Sequence, residues 1–263
     1  MPHERVLTIP NAINLRELGG YPTTGGRTVA WHKVLRSGTL SYLDGVGEQQ
    51  LADYGVTTVV DLRSDTEVSM SPDKLLAGTN YQHLSVYPLS GEQSFWDKLK
   101  HRQPPRPQSW DLGDAYIEML VDRHALHAYR QLFDLLLANT TPGHALVFHC
   151  AAGKDRTGVG AMMIEGLLGV PTPVMRADYQ LTNLVLANPE GMSSAAVNAK
   201  LQHGASALVN TMNAAAAGGD NFDTVQKFVT SEFGTWSDYA RQELRLSSKN
   251  QADLRQLYLE PQS

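Results

Sequence analysis

The stretch HALVFHCAAGKDRTGVGAMMIEGLLG, residues 144–169, joins an apolar run, a short polar loop and a second apolar stretch. HALVFHC (144–150) predicts a short buried strand, and DRTGVGAMMIEGLLG (155–169) predicts a helix that stops at Gly169. Together they form a strand–loop–helix unit over residues 144–170. Such a unit is typical of α/β proteins, in which ligands bind at the carboxyl ends of the strands.

The loop of this unit, HCAAGKDRTG (149–158), combines the groups that bind a phosphate dianion. The backbone N–H groups of a tight loop at a helix N-terminus converge on an anion, and Gly153 lets the backbone approach it closely. Arg156 adds a planar guanidinium that can bind two oxygens at once. The predicted substrate-binding residues are Ala151, Ala152, Gly153, Lys154, Thr157 and His149.

Cys150 is the one cysteine of the chain and the predicted nucleophile. The positive field of the helix N-terminus and of Arg156 favours the thiolate, which can attack phosphorus in line. Thr157 can donate its hydroxyl to the sulfur when the sulfur leaves, and His149 can orient the loop through a backbone hydrogen bond. A lone cysteine is more often an inert buried residue, so it is the loop around Cys150 that favours catalysis.

Several aspartates compete for the role of general acid, which must lie within hydrogen-bond reach of the leaving oxygen. Asp61 ends the β-branched run VTTVVD, so we expect it at the edge of the sheet where ligands bind. The alternative for Asp61 is a structural role, as a strand-end turn residue that pairs with Arg63. Asp155 lies inside the loop itself. Asp111 and Asp114 end a proline-rich stretch and could reach the site on a lid.

The N-terminal part, residues 1–90, predicts strands and a sheet. Its signals are a turn near Thr24–Arg27, a short helix closed by Gly55, a buried strand that ends at Asp61 and a second strand in YQHLSVYP (81–88). Residues 88–113 are rich in proline and irregular, which makes them a candidate lid.

The remainder is dominated by helical spacing. One such pattern runs from Asp114 to Ala138, and a helical extension covers 173–260, with a further pattern at 193–216 and capping signals at Thr235–Asp238 and Ser248–Gln251. The fold class that follows is α/β. We expect a central, mainly parallel β-sheet flanked by helices, with a helical C-terminal extension, in a single domain over residues 1–263.

Composition narrows the function classes. With 22 basic and 27 acidic residues the formal net charge is -5, which argues against a nucleic-acid partner.

The chain shows no secretory signal and no apolar run of membrane-spanning length, so we expect a cytoplasmic protein without an integral membrane segment. The single cysteine excludes an internal disulfide. No cofactor and no metal are expected, since only His124 and His127 have a ligand-like spacing and the proposed chemistry needs neither.

HCAAGKDRTG resembles the signature loop of the protein tyrosine phosphatase superfamily, and AGKDRTG is the loop of the bacterial PtpB-like tyrosine and phosphoinositide phosphatases. The resemblance implies a cysteine-phosphatase fold, a phosphocysteine intermediate and phosphotyrosine substrates, with phosphoinositides as further candidates. In the related enzymes the segment DLRS lies by the active site. The resemblance therefore favours Asp61 as the general acid, with Asp155 second. Supporting segments are NLRELGGY (14–21), LRSG (35–38), VVDLRS (59–64), ADYQLTN (177–183) and FGTWSDYARQEL (233–244).

Substrate class and rival activities stay open at this level. Lys154 beside Arg156 would suit a multiply phosphorylated or inositol head group, although loop lysines are more often solvated. The alternatives are a phosphate-binding module without turnover, a sulfurtransferase and an arsenate reductase. The nucleophile disfavours a pure binding module, and the lack of a second cysteine disfavours arsenate reduction.

Overall fold

A computed structural model describes residues 3–87, 113–186 and 220–260. The candidate lid over 88–113 lies outside this part of the chain apart from Gly113, which begins a helix. Asp111, the side chain of Asp114 and the helical pattern at 193–216 also lie outside the described residues, so the predictions made for them stay predictions.

The described elements alternate strands and helices and end in helices. The strands are β1 (Arg16–Glu17), β2 (Val34–Ser37), β3 (Val56–Asp61), β4 (Asn80–His83) and β5 (Ala145–His149). The helices are α1 (Gly45–Asp53), α2 (Asp65–Met70), α3 (Gly113–Val121), α4 (Arg123–Ala138), α5 (Arg156–Leu168), α6 (Thr172–Leu186), α7 (Asp220–Phe233), α8 (Trp236–Gln242) and α9 (Ser248–Tyr258).

The five strands form one mixed sheet in the order β1-β2-β5-β3-β4, in which only the β1–β2 pair is antiparallel. The central strand β5 is buried along its whole length, as its uninterrupted apolar sequence predicts. The register pairs His149 with Ser37 of β2 and with Asp61 of β3. Three strands therefore end together, and the loop after β5 starts at the carboxyl edge of the sheet. The predicted α/β class is confirmed.

The sheet separates two apolar cores. Successive side chains of β5 point to opposite faces, so Leu146 and Phe148 pack in the larger core beneath the helices that follow α2. Ala145 and Val147 pack in the smaller core against α1. Helix α5, which follows β5 and its loop, is buried on nearly every side. It therefore offers a fixed base for the residues at its N-terminus.

Three local predictions need correction. The helical pattern from Asp114 to Ala138 is broken into α3 and α4, because Asp122 accepts hydrogen bonds from the amides of His124 and Ala125 and caps a new helix. The strand predicted at 81–88 covers only the beginning of that stretch. The last helix is capped by Ser247 with Asn250 in place of the Ser248–Gln251 pair.

Other local predictions are confirmed. The turn near Thr24–Arg27 is closed by a hydrogen bond from the amide of Thr23 to the carbonyl of Arg27. Thr235 caps α8 by accepting from the amide of Asp238. Gly169 ends α5 in the left-handed conformation, with φ of 84°. Among the helices described, none combines the length and the apolar character needed to cross a membrane.

Candidate active site

The loop that follows β5, residues 150–155, will be called the Cys150 loop. Three of its consecutive carbonyl oxygens point away from the helix end and accept hydrogen bonds from the neighbouring chain segments. The donors are the amide of Thr39 to the Ala151 oxygen (2.9 Å), Asn14 Nδ2 to the Ala152 oxygen (3.1 Å) and Arg36 Nη2 to the Gly153 oxygen (2.9 Å).

The amides of the same loop are left free. The N–H groups of residues 151–155 donate no hydrogen bond to any residue that the structure describes. Because a peptide group is planar and trans, a carbonyl held to the rear aims the following N–H to the front. The predicted substrate-binding backbone of Ala151, Ala152, Gly153 and Lys154 therefore has the arrangement that receives an anion.

Gly153 is required by the path of the loop. Its φ is 70°, and a Cβ added there would lie 2.5 Å from the carbonyl carbon and oxygen of Ser37. The loop thus packs directly on the end of β2, and the clash would involve backbone atoms that cannot move aside. The sequence analysis requires this glycine for a close approach of the backbone to an anion, and the structure adds a second reason, the packing of the loop on Ser37.

Cys150 lies at the floor of the loop with 2% of its surface exposed. It borders the large core and is close enough to Arg156 and Tyr87 to interact with both electrostatically. Thr157 is fully buried, and its hydroxyl has no hydrogen-bond partner among the described residues. The expected bond from Thr157 to the sulfur is absent from this arrangement and stays a prediction for the intermediate.

Arg156 is held by a carboxylate that the sequence analysis overlooked. Its Nη1 and Nη2 donate to the two oxygens of Glu67 at 2.6 and 2.8 Å, and its guanidinium lies 5.2 Å from the centre of the Tyr87 ring. Hydrogen bonding to Arg156 lowers the pKa of Glu67 to about 2. The pair leaves the Nε of the guanidinium without a hydrogen-bond partner among the described residues, so this N–H is available to a ligand.

A local signal could have found Glu67. The sequence SDTE (64–67) directly follows β3 and has the spacing of a capping box. The structure contains that box, in which Ser64 accepts from the amide of Glu67 and Glu67 accepts from the amide of Ser64. A capping box after a strand places its glutamate at the carboxyl edge of the sheet, beside the Cys150 loop.

Asp61, the general acid that the sequence favours, lies in the interior of the protein. Its carboxylate is fully buried and accepts from the Nε and Nη2 of Arg63 and from the hydroxyl of Tyr81, at 2.6–3.0 Å. Burial opposes ionisation, but the hydrogen bonds from Arg63 and the charge of His149 outweigh it and lower the pKa of Asp61. Both oxygens of the Asp61 carboxylate are thus engaged by neighbouring donors, and its ionised form is favoured, which argues against the role of general acid.

His149 belongs to the same buried group. Its Nδ1 lies 3.2 Å from the carbonyl of Cys150, as expected for a histidine that orients the loop, and its Nε2 lies 2.8 Å from Asp73 Oδ2. The atoms of Asp61, Asp73 and His149 are close enough to share a cation. Arg63 Nη2 already binds both carboxylates, at 2.6 and 2.9 Å, so the guanidinium occupies the place of a metal.

Asp155 lies at the front of the loop and is only partly buried. It occupies the N-cap position of α5 without making a capping hydrogen bond. Its carboxylate instead accepts a hydrogen bond from the hydroxyl of Tyr116, which lies 3.0 Å from the hydroxyl of Tyr179. Lys154 is half-exposed and forms no ion pair with the described residues.

Comparisons with known proteins agree with this geometry. The model of the tyrosine phosphatase family matches residues 7–260. A Cupriavidus necator protein named as a tyrosine-protein phosphatase is 29% identical over 222 residues, which cover 80% of this chain and 78% of that protein. A tyrosine-protein phosphatase of Nostoc commune is 30% identical over 148 residues, 56% of this chain and 47% of that protein. The triple specificity protein phosphatase PtpB of Mycobacterium tuberculosis is 28% identical over 200 residues, 68% and 69% of the two chains.

Proposed function

This chain belongs to the tyrosine phosphatase family and is a hydrolase of the protein-tyrosine-phosphatase type, and we propose that it works through a phosphocysteine intermediate on Cys150. The observation that carries the proposal is the geometry of the Cys150 loop. Its carbonyl oxygens accept hydrogen bonds from the neighbouring chain segments, whereas its amides have no acceptor among the described residues. Those amides, with the available Nε–H of Arg156, are placed to bind the three non-bridging oxygens of a phosphate monoester.

The reaction then has two steps. The Cys150 thiolate attacks phosphorus, the bond from phosphorus to the ester oxygen breaks, and a general acid protonates the departing alkoxide or phenoxide. In the second step water attacks phosphorus, the S–P bond breaks and the same carboxylate takes the proton of the water. Inorganic phosphate leaves and the thiolate is restored. The chemistry requires no metal and no cofactor, and we expect activity to persist with a chelator present.

We assign the general acid to Asp155 in place of Asp61. Asp155 lies in the loop and is partly exposed, and its oxygen already has a hydrogen-bonded contact in Tyr116. Asp61 is buried and ionised within the Arg63 pair. A general acid must reach the leaving oxygen directly or through one water, and the partial exposure of Asp155 supports that role better than the full burial of Asp61.

The substrates we propose are phosphotyrosine in proteins and, as a second class, phosphoinositides. PtpB of Mycobacterium tuberculosis is named a triple specificity protein phosphatase, which supports a broad range of phosphate monoesters for this chain. Lys154 offers a cation near the loop for a further phosphate. Such a protein would work in the cytoplasm as one domain over 1–263, without a nucleic-acid partner.

The test is hydrolysis of p-nitrophenyl phosphate by the wild type, by Cys150→Ser and by Arg156→Lys. We expect Cys150→Ser to lose turnover while it still binds vanadate or phosphate, because only the nucleophile is changed. Arg156→Lys keeps the charge and loses the two-pronged donor, so it should lose both binding and turnover. Thermal unfolding of each variant separates loss of chemistry from loss of fold.

Two outcomes would overturn the proposal. Full activity of Cys150→Ser would exclude the phosphocysteine, and a wild type that binds phosphate without turnover would be the binding module considered above. A phosphotyrosine peptide and a soluble phosphoinositide, assayed side by side, then decide between the two substrate classes. Failure on both would remove the substrate proposal.

A further inference from the structure

Asp178 on α6 is a fully buried carboxylate from which two hydrogen-bonded arms lead to the Cys150 loop. In the first arm, Asp178 Oδ2 accepts from Arg36 Nη1 at 2.5 Å, and Arg36 Nη2 donates to the carbonyl of Gly153 at 2.9 Å. Arg36 is the last residue but one of β2 and is 1% exposed. The guanidinium therefore spans directly from the carboxylate to the loop.

The second arm passes through Arg16 and Asn14. Asp178 Oδ1 accepts from Arg16 Nε at 3.0 Å, and Arg16 Nη1 donates to Asn14 Oδ1 at 2.5 Å. The amide nitrogen of Asn14 then donates to the carbonyls of Ala152 and Gly153, at 3.1 and 3.3 Å. Because Arg16 can only donate, it fixes which side of the Asn14 amide is oxygen and therefore turns the nitrogen toward the loop.

We propose that Asp178 is a positioning residue for the phosphatase reaction, which through Arg36 and through Arg16–Asn14 keeps the loop carbonyls at the rear and so aims the loop amides at the phosphoryl group. This inference rests on the proposed function of the loop. It assigns one shared task to three separate segments of the chain, which are NLRELGGY (14–21), LRSG (35–38) and ADYQLTN (177–183).

The charge balance of this buried group supports the assignment. Two arginines, Arg16 and Arg36, share the single carboxylate of Asp178. Although burial opposes ionisation, the two guanidinium groups hold the pKa of Asp178 below its usual value. Burial raises the pKa of the neighbouring Glu165 well above its usual range, which favours its neutral form. An excess of positive charge thus lies directly behind the loop, on the side from which it attracts a phosphate dianion.

The arrangement also resists the alternative geometry of the loop. If a loop peptide flipped, its carbonyl would face the phosphate and its amide would face Arg36 or the Asn14 nitrogen, which cannot accept a hydrogen bond. Arg36 Nη2 would then lose its acceptor in the loop, and Asn14 Nδ2 would keep only the hydroxyl of Thr182 at 3.3 Å. The loss of these hydrogen bonds costs free energy in the interior. The network therefore selects the anion-binding form of the loop before substrate arrives, which is the condition for electrostatic catalysis.

The sharpest test is Asn14→Gly. Asn14 has φ of 54°, a conformation that glycine adopts without strain, so this change removes the side-chain donor and keeps the backbone. Asn11→Gly is the matched control, since Asn11 has φ of 61° and its exposed side chain contacts only Asp44 among the described residues. We expect Asn14→Gly to lower kcat/KM by about tenfold to a hundredfold, the loss that a misplacement of about 1 Å produces.

Vanadate affinity is the readout that a merely structural role would not move. It should weaken in Asn14→Gly in proportion to kcat/KM, at a temperature well below the unfolding transition, and stay unchanged in Asn11→Gly. Asp178→Asn should show the same loss if it folds. If it does not fold, Arg36→Gln tests the first arm by the same two measurements. Each variant keeps Cys150 and Arg156, so any loss reports the geometry of the loop.

The outcomes separate this inference from the function on which it rests. A wild type that does not hydrolyse p-nitrophenyl phosphate sinks the proposed function. An active wild type whose Asn14→Gly and Arg36→Gln variants keep wild-type vanadate affinity and kcat/KM sinks the positioning role and leaves the function standing. The same result follows if Asn11→Gly loses as much as Asn14→Gly.

Discussion

Glu67 and Arg156 form a two-pronged ion pair, with the Nη1 and Nη2 of the arginine 2.6 and 2.8 Å from the two carboxylate oxygens. The pair joins α2, a helix with no buried side chain, to the first residue of α5 beside the nucleophile. Arg156 is therefore aligned before any phosphate binds. A flexible side chain that is held in one orientation loses less entropy on binding its ligand.

We expect Glu67→Gln to lower kcat/KM by about two- to fivefold, the range for a partly exposed ion pair. Glutamine can close the same capping box with Ser64, so α2 should keep its structure. The negative charge that binds Arg156 is lost. Glu48→Gln removes an acidic charge from the first turn of α1 and serves as the control. Steady-state kinetics on p-nitrophenyl phosphate measure both. Faster turnover in Glu67→Gln would instead mean that the carboxylate competes with phosphate.

The general acid can be identified by its dependence on the leaving group. We expect Asp155→Asn to slow phenyl phosphate hydrolysis by about 10²–10⁴-fold and to affect p-nitrophenyl phosphate far less, because an activated phenoxide needs no proton. Asp61→Asn should slow the hydrolysis of both substrates by the same factor and lower the unfolding temperature, since it leaves Arg63 poorly paired in the interior. The opposite pattern for the two variants would return the role to Asp61.

Gly153→Ala should lower kcat/KM by about a hundredfold. The added Cβ would meet the backbone of Ser37 at 2.5 Å, so the loop must move, and a shift of about 1 Å at the reacting centre costs about a hundredfold. Gly26→Ala is the control, because Gly26 has φ of 77° and no atom within 4 Å of the added Cβ. It should lose about 1–2 kcal/mol of stability from backbone strain and keep wild-type kcat/KM. Equal losses in the two variants would show that strain alone, and no close packing, explains the glycine.

Glu165 should make stability depend on pH. Burial, and then the charge of Asp178, raise its pKa well above its usual value near 4.5, and neither oxygen has a hydrogen-bond partner among the described residues. The unfolded chain releases this proton as the pH rises past about 4.5, whereas the folded chain keeps it, so wild-type stability falls toward neutral pH.

Glu165→Gln removes this titration. We expect its free energy of unfolding to exceed that of the wild type at pH 7, and the gap to shrink toward pH 4, with a slope of at most about 1.4 kcal/mol per pH unit. Urea unfolding of both proteins at pH 4, 5, 6 and 7 gives the difference. A constant gap across this range would show that Glu165 is ionised in the folded protein.

The local signals in the sequence were sufficient for the unit over 144–170. Its apolar run, its glycine and its helix are contiguous, so strand, loop and helix follow from short-range preferences. Cys150 and Arg156 are brought to one place by that local geometry alone. The left-handed Gly169 and the cap at Thr235 are of the same kind, since each depends on hydrogen bonds a few residues apart.

Contacts distant in sequence decided the rest. Asp61 ends its strand where the sequence predicts, and its pairing with Arg63, two residues on, was one of the two interpretations that the sequence allowed. The contact with Tyr81 and the register with His149, which place the carboxylate in the interior, come from distant parts of the chain. Asp178 reaches the loop through Arg36, which is 142 positions away from it in the sequence. No spacing in the sequence reveals this contact. The sequence by itself therefore determined the candidate nucleophile and the candidate anion loop, because these are local. Only the tertiary structure separated the candidate proton donors and showed the side chains that bind the loop carbonyls, because burial and long-range hydrogen bonds arise only when the strands and helices are packed together.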